Sequence, residues 1–295
     1  MSDSRVILGC GYVGSAIARK WLAEGKEVWG VSRNAETLAL IEEAGFHPVV
    51  AEVDGVEWHT QVPDRPEVVL NCVSAASIGV EGYRKSYLEG NRSLLRWARN
   101  AQPEKILYTG STAVYPFTDG REVWEDDAGG DLSESGEIVL ESERMLLEDE
   151  EFGARSTVLR LAGIYGPERS HLLEQVKKGN GVLPGRGDYF LNLIYRDDIV
   201  SAVDAVIASD QAGGRAYNLA DGNSPTKEEM VAWLAERIGC PVPVFDPDAT
   251  GGRRMRVNRA GGSPNRRVRI DRICKETDWQ PSCPSFREGF DKIGL

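Results

Sequence analysis

Short runs of β-branched and apolar residues alternate, along the first half of the chain, with longer stretches whose apolar positions recur every three to four residues. Arg5–Leu8, Glu27–Val31, His47–Ala51, Val68–Cys72, Lys105–Thr109 and Ser156–Leu161 read as strands. Between them, Gly11–Glu24, Ala35–Ala44, Glu81–Asn100 and Glu137–Glu150 carry the helical period. Strands alternating with helices of this length predict βαβ units and a parallel sheet. Right-handed crossovers make that a doubly wound α/β sheet, with a ligand crevice at the carboxyl ends of its strands.

After Pro167 the pattern loosens. A loop at Gly179–Asp188 precedes a helix from Arg196 to Ser209. A further helix is expected over Pro225–Ile238, with Ser224 as its cap, Pro225 in first position and Glu228 three residues on. Two short helical patterns follow, near Ile270–Thr277 and Ser285–Ile293. No internal repeat is evident. Residues 1–166 are therefore expected to form the main sheet domain, with helix 196–209 packing back on it. Residues 167–295 are expected to be mostly a smaller α/β region that binds substrate.

The length of 295 residues fits this division, one large α/β unit or a nucleotide domain with a smaller partner. A net charge of −11 argues against a general nucleic-acid or membrane-surface binder, because phosphate affinity needs a basic face. The amino terminus enters Val6-Ile7-Leu8 without the basic and apolar segments of a signal peptide. No apolar run approaches the roughly 18–20 residues of a membrane span. The five cysteines, Cys10, Cys72, Cys240, Cys274 and Cys283, include no C-x-x-C pair and suit free thiols in a reducing cytoplasm. The three histidines, His47, His59 and His171, lack ligand spacing, so no metal site is expected.

Candidate chemistry starts at Gly9-Cys10-Gly11-Tyr12-Val13-Gly14, between the first strand and the first helix. In such a G-x-G-x-x-G loop the first glycine permits a tight turn out of the strand. The second lets backbone N–H groups approach a pyrophosphate, and the third lets helix pack closely on strand. The helix N-terminus adds partial positive charge. This strand-turn-helix context predicts a Rossmann domain that binds NAD or NADP. About twenty residues on, an acidic residue would bind the ribose hydroxyls of NAD. Ser32-Arg33-Asn34 stands there instead, and a guanidinium suits a 2′-phosphate. The expectation leans to NADP(H), with NAD(H) open and a solvated surface role for Arg33 as the plainer alternative.

With these residues in view, the chain resembles the extended short-chain dehydrogenase/reductase superfamily, in its NAD-dependent epimerase/dehydratase branch. Tyr108-Thr109-Gly110-Ser111-Thr112-Ala113-Val114-Tyr115-Pro116 is similar to that family's fifth-strand signature, and Leu159-Arg160-Leu161-Ala162-Gly163-Ile164-Tyr165-Gly166-Pro167 to its sixth-strand motif. Asn192 to Asp198 resembles the segment entering the next helix, and Trp279-Gln280-Pro281 with Pro284 to Gly289 resembles the usual tail. The resemblance implies that Ser111 is the catalytic Ser/Thr, its hydroxyl bonded to a substrate oxygen beside the nicotinamide; a turn-capping serine is the alternative. It also implies that Glu52 and Val53 line the adenine, and that Ser74, Ala75 and Ala76 wall the pyrophosphate.

The family's Tyr-x-x-x-Lys relay is missing. None of the nine tyrosines has a lysine four residues on. Aligning Glu143 with the family's usual glutamate puts Ser135 at the tyrosine position and Val139 at the lysine position. Serine is a far poorer acid than a phenol, and valine carries no charge. The chain is thus similar to atypical members in which the nucleotide site persists and the active site differs. Tyr115, His171 or a carboxylate of the carboxyl-terminal region are the candidates to move a proton instead, each with a structural role as the commoner alternative.

Gly251–Arg272 holds eight arginines in 22 residues: Arg253, Arg254, Arg256, Arg259, Arg266, Arg267, Arg269 and Arg272. In sugar-nucleotide members of the resembled branch, arginines in this region hold the substrate's pyrophosphate. A solvated loop paired with surface acids is the equal alternative. Arg256, with Arg186 and Asn192 from the preceding loop, is the expected contact to a small anionic substrate. Apolar stripes on helices 81–100 and 137–150 (Tyr87, Leu94, Leu95; Ile138, Met145) suit either a homodimer interface or packing on the sheet. Two functions stay open: an NAD(P)-dependent oxidoreductase or epimerase-like enzyme, and a non-catalytic NADP(H)-binding sensor or partner protein.

Overall fold

The computed structural model describes residues 3–41, 43–75, 77, 79–178, 181–249 and 264–295. Its strands run β1 (Ser4–Leu8), β2 (Glu27–Ser32), β3 (Phe46–Val50), β4 (Val68–Asn71), β5 (Lys105–Ser111), β6 (Glu122–Val123) and β7 (Ser156–Leu161). They continue with β8 (Gly163–Tyr165), β9 (Val182–Pro184), β10 (Leu193–Tyr195), β11 (Arg215–Leu219), β12 (Val244–Asp246) and β13 (Arg267–Val268). Seven of them form one sheet in the order β11-β7-β5-β4-β1-β2-β3, every pair parallel. The order reverses between β1 and β4, the switch point at which a doubly wound sheet opens its crevice.

Strand composition explains the layering. Every residue of β1, β4 and β7 is buried, as a parallel sheet covered on both faces requires. Alternate residues feed opposite cores: Ile7, Leu70 and Leu107 enter one, while Val6, Leu8, Val69 and Ile106 enter the other. The first core is closed by helix α1 (Tyr12–Ala23). On the second core sits the region that the helical period of residues 81–100 marked as one helix. It divides into α3 (Val80–Tyr83), a π-helical turn at Arg84–Glu89 and α4 (Gly90–Ala101). The expected helix 35–44 is shorter, α2 (Ala35–Ala39), capped by Asn34, whose Oδ1 accepts from the amides of Glu36 and Thr37. Helix α5 (Glu134–Leu147) starts at a Ser133 cap, three residues ahead of the expected start.

The chain returns to the sheet twice after residue 167. Helix α7 (Arg196–Ala208) packs beside α1 in the first core, and β11 adds the seventh strand, which the sequence pattern did not mark. A third core gathers Leu173 and Val176 of α6 (His171–Lys178) with Met230, Val231 and Leu234 of α8 (Lys227–Ile238). Phe286 and Phe290 join it from the last helix, Phe286–Lys292. The cap of α8 corrects the sequence expectation. Thr226, not Ser224, is the cap, and its hydroxyl and the Glu229 carboxylate close a capping box. The Ser224 hydroxyl is engaged elsewhere, donating to Asn192 Oδ1, and the Pro225 carbonyl accepts from the amide of Leu191.

Candidate functional site

A cleft of about 340 Å³ lies at the carboxyl ends of β1, β2, β4 and β5, over the switch point. Its floor at one end is the glycine loop. Gly9 has φ +99°, and a Cβ there would sit 2.8 Å from the Val73 amide nitrogen, so only glycine makes this turn. A Cβ on Gly14 would lie 2.2 Å from the Gly9 carbonyl oxygen, which is how closely α1 packs on the turn. Gly11 differs: a Cβ there meets nothing within 4 Å, so the protein leaves open space beside it. No side chain caps the N-terminus of α1, so that end presents its backbone donors towards the cleft. Two glycines forced by contact, one bordering open space and an uncapped helix end make a cradle that fits a pyrophosphate.

Gly9, Gly11, Tyr12, Val13, Ser32, Arg33, Glu52, Val53, Ser74 and Ser111 all line this one cleft, drawn from the ends of five strands, β1 to β5. Gly14 supports it from below. The backbone of Ala75 is hydrogen-bonded to Tyr87, which lines the cleft, while Ala76 lies outside the described residues. The π-helical turn supplies residues that the sequence reading missed, for it turns Lys85, Ser86 and Tyr87 into the cleft in succession. Lys85 Nζ lies 3.5 Å from Glu52 and 3.8 Å from Asp54. Two acids, Glu52 and Asp54, therefore share the cleft with Arg33, and Lys85 offsets them. The Cys72 thiol, on a half-buried residue and donating to the Gly9 carbonyl at 3.1 Å, is pushed well up by desolvation and stays protonated.

At the far end, Ser111 leaves β5 and caps a short 3-10 turn, its Oγ accepting from the Ala113 amide at 3.2 Å. That bond uses one lone pair of a hydroxyl that lines the cleft and does not consume its O–H. Tyr115 is a correction. It does not line the cleft; it is 1% exposed, and its hydroxyl donates to Asn218 Oδ1 at 2.6 Å and accepts from Arg160 Nη1 at 2.9 Å. Burial pushes the phenol up to about 12. A phenol enclosed in this way holds the core together and cannot meet a ligand. His171 opens α6 on the surface, bonded to Gln175, and is also outside the cleft lining. Ser135 stands half-buried in the first turn of α5, and Val139 is in the first core.

The expected substrate contacts disperse. Arg186 is exposed and pairs with Asp188. Asn192 is a staple: its Oδ1 accepts from Ser224 Oγ and the Val268 amide, and its Nδ2 donates to the Arg266 carbonyl. Neither lines the cleft. Arg256, with Arg253, Arg254 and Arg259, lies outside the described residues. Of the arginines that follow, Arg269 pairs with Glu122 and Asp271, and Arg272 with Asp126. Arg267 donates to the Gly120 carbonyl. Arg266 is buried against the Tyr115 ring and donates to the Thr112 carbonyl; with no acid partner among the described residues, it is pulled down to about 10 by burial. Leu94, Leu95 and Ile138, from the stripes considered for a dimer, are buried within the chain. Among the described residues no helix is long and apolar enough to cross a membrane.

A model of the NAD dependent epimerase/dehydratase family matches residues 6–220. Over 271 residues the chain is 27% identical to a dTDP-6-deoxy-L-talose 4-dehydrogenase (NAD(P)(+)) of Kitasatospora kifunensis, covering 83% of each protein. Among solved structures it superposes on the dTDP-glucose 4,6-dehydratase of Streptomyces venezuelae, determined with NAD bound. That match has a TM-score of 0.83 and 17% identity, over 98% of this chain and 95% of the other. A UDP-glucose 4-epimerase of Thermotoga maritima, determined with UDP-glucose, matches with a TM-score of 0.80 and 21% identity, over 98% and 96%. At these identities the structural likeness shows a shared fold.

Proposed function

The chain belongs to the NAD dependent epimerase/dehydratase family, and from that premise we propose an NAD(P)-dependent oxidoreductase or epimerase of a small anionic substrate, a sugar nucleotide being the favoured class. One observation carries the reading. The glycine cradle and Ser111 face a single cleft, so a dinucleotide with its phosphates over Gly11 has a hydroxyl donor at its far end. The bound nicotinamide would give or take a hydride. The protein's part is to hold the phosphates at the α1 N-terminus, to keep water from the buried walls, and to orient a substrate oxygen with the Ser111 hydroxyl. The relatives named for dTDP- and UDP-sugars support the substrate class.

NADP(H) is the favoured cofactor, because Arg33 and Ser32 line the end where a 2′-phosphate would lie. The test is a fluorescence titration with NADPH and NADH on the wild type and Arg33→Ala. Tighter NADPH binding that Arg33→Ala reduces towards the NADH value is expected. NADH binding clearly tighter than NADPH overturns the preference.

A second reading, a non-catalytic NADP(H)-binding protein, is favoured by one specific feature: Ser135 and Val139 occupy the relay positions. NADPH deuterated at C4, offered with dTDP- and UDP-keto-sugars, whose carbonyl carbon can accept the deuteride while its oxygen takes a proton, separates the two. Deuterium appearing in a sugar supports the enzyme. Binding without transfer to any keto-sugar of the panel favours the second reading.

A further inference from the structure

We propose that Arg169 is a guanidinium clamp for the cofactor's pyrophosphate, held over the glycine loop by the ring of Tyr12; this rests on reading the cleft as a dinucleotide site. Arg169 lines the cleft together with Gly9, Gly11 and Tyr12. Its guanidinium lies 5.1 Å from the centre of the Tyr12 ring, within cation–π range. Tyr12 is itself the residue after Gly11, so its ring places the charge beside the cradle.

The geometry around this pair is fixed from both sides. The Tyr12 hydroxyl donates to the Pro167 carbonyl at 2.8 Å, tying the glycine loop to the turn after β8. In that turn Gly166 and Arg169 exchange backbone hydrogen bonds of 3.0 and 3.1 Å. A side chain at Gly166 would come within 2.8 Å of the Tyr12 hydroxyl, so the turn closes against the ring without slack.

Charge pairing singles out Arg169. A second guanidinium, Arg196, lies 5.2 Å from the same ring, but it is paired with Asp197 at 2.8 Å and does not line the cleft. Lys85, also in the cleft, is offset by Glu52 and Asp54. Arg169 makes no ion pair among the described residues, in a chain of net charge −11. A pyrophosphate brings two negative charges, whereas a helix N-terminus supplies roughly half a positive one. A planar guanidinium, able to give two parallel N–H bonds to phosphate oxygens, supplies the missing charge in the geometry it favours.

The experiment is calorimetric titration of ADP and adenosine into the wild type, Arg169→Ala, Arg169→Lys and Tyr12→Leu, at low and high salt. ADP carries the pyrophosphate without a 2′-phosphate or a nicotinamide. Arg169→Ala is expected to weaken ADP about tenfold or more, with adenosine unchanged and a shallower salt dependence than the wild type. Arg169→Lys should fall between, and Tyr12→Leu should lose part of the same ADP affinity. Arg169 is exposed, so thermal melts of the Arg169 variants should match the wild type and exclude misfolding. Wild-type ADP affinity in Arg169→Ala overturns the clamp while leaving the cofactor site standing. A wild type that binds neither ADP nor NADPH overturns the cofactor reading and the clamp with it.

Discussion

Glu143 and Arg160 form a buried ion pair across α5 and β7, Oε2 accepting from Nε at 2.9 Å. Arg160 spends Nη1 on the Tyr115 hydroxyl and the Glu125 carbonyl. The remaining Glu143 oxygen, Oε1, has no hydrogen-bond partner among the described residues and faces Gly110, where a Cβ would come within 2.5 Å of it. This pair therefore lies directly behind the strand that carries Ser111. Burial wins over the guanidinium and raises the Glu143 carboxyl from 4.5 to about 7. Between those values the unfolded chain has released this proton while the folded chain keeps it. The stabilisation is thus full below the unfolded pKa and is lost as pH rises through the folded one. In urea unfolding, the wild type should lose stability relative to Glu143→Gln as pH rises from about 5 to about 8. A difference that stays flat or grows over that range refutes the assignment.

Tyr115 gives a second test, because its hydroxyl serves the core. Tyr115→Phe leaves Asn218 Oδ1 and Arg160 each short of one buried partner. The expected loss is about 1–3 kcal/mol in urea unfolding, with NADPH affinity unchanged. Ser111→Ala should do the reverse to the cleft and little to the fold, within about 1 kcal/mol for a lost turn cap. Equal stability of Tyr115→Phe and wild type would contradict the network.

The features legible in the sequence are those written by local rules. Strand and helix periods gave the sheet, and the glycine spacing placed Gly9 and Gly14 where backbone contacts demand them and Gly11 beside open space. Arg33, Glu52, Val53 and Ser74 follow because strand ends in a doubly wound sheet converge on one crevice. What was missed depends on contacts between distant segments. Lys85, Ser86 and Tyr87 reach the cleft through a π-helical turn, which the apolar period of residues 81–100 does not mark. Arg169 reaches it through a turn locked on Tyr12, whose hydroxyl is bonded to the carbonyl of Pro167, 155 positions further along the chain. Tyr115 looked available because a Val-Tyr pair says nothing of Arg160 and Asn218 closing around it. Strand β11 has Asn218 within it, and that polar residue hides a core strand whose amide side chain serves Tyr115 and the Arg269 carbonyl.

The cap of α8 shows how a local rule can point two residues wrong, and it can be tested cheaply. Ser224-Pro225 has the look of a helix start, yet Thr226 and Glu229 close the box. Thr226→Ala is expected to cost about 1 kcal/mol. Ser224→Ala removes one of three hydrogen bonds on the Asn192 side chain instead, so its effect should appear in the packing of Asn192 against Val268 and Arg266. Amide exchange separates the two: Thr226→Ala should speed exchange at Glu229, and Ser224→Ala should speed it at Val268. Faster exchange at Glu229 in Ser224→Ala would restore the sequence-based cap.

The glycine loop offers the sharpest separation of fold from function, because its glycines are there for different reasons. A Cβ at Gly14 would lie 2.2 Å from a backbone oxygen and 2.9 Å from Cys72 Sγ, so nothing flexible can yield. Gly14→Ala should therefore push α1 off the turn and destabilise the chain by about 1–3 kcal/mol, as overpacking does. At Gly11 no protein atom lies within 4 Å of the same position. Gly11→Asp should consequently fold and melt like the wild type within about 0.5 kcal/mol. Its carboxylate, however, would stand in the space a pyrophosphate needs, with like charge against it. Loss of NADPH binding with an unchanged melt is the expected result for Gly11→Asp. Wild-type NADPH affinity in that variant would mean that the cofactor's phosphates do not lie over Gly11, and the cradle would lose its assignment.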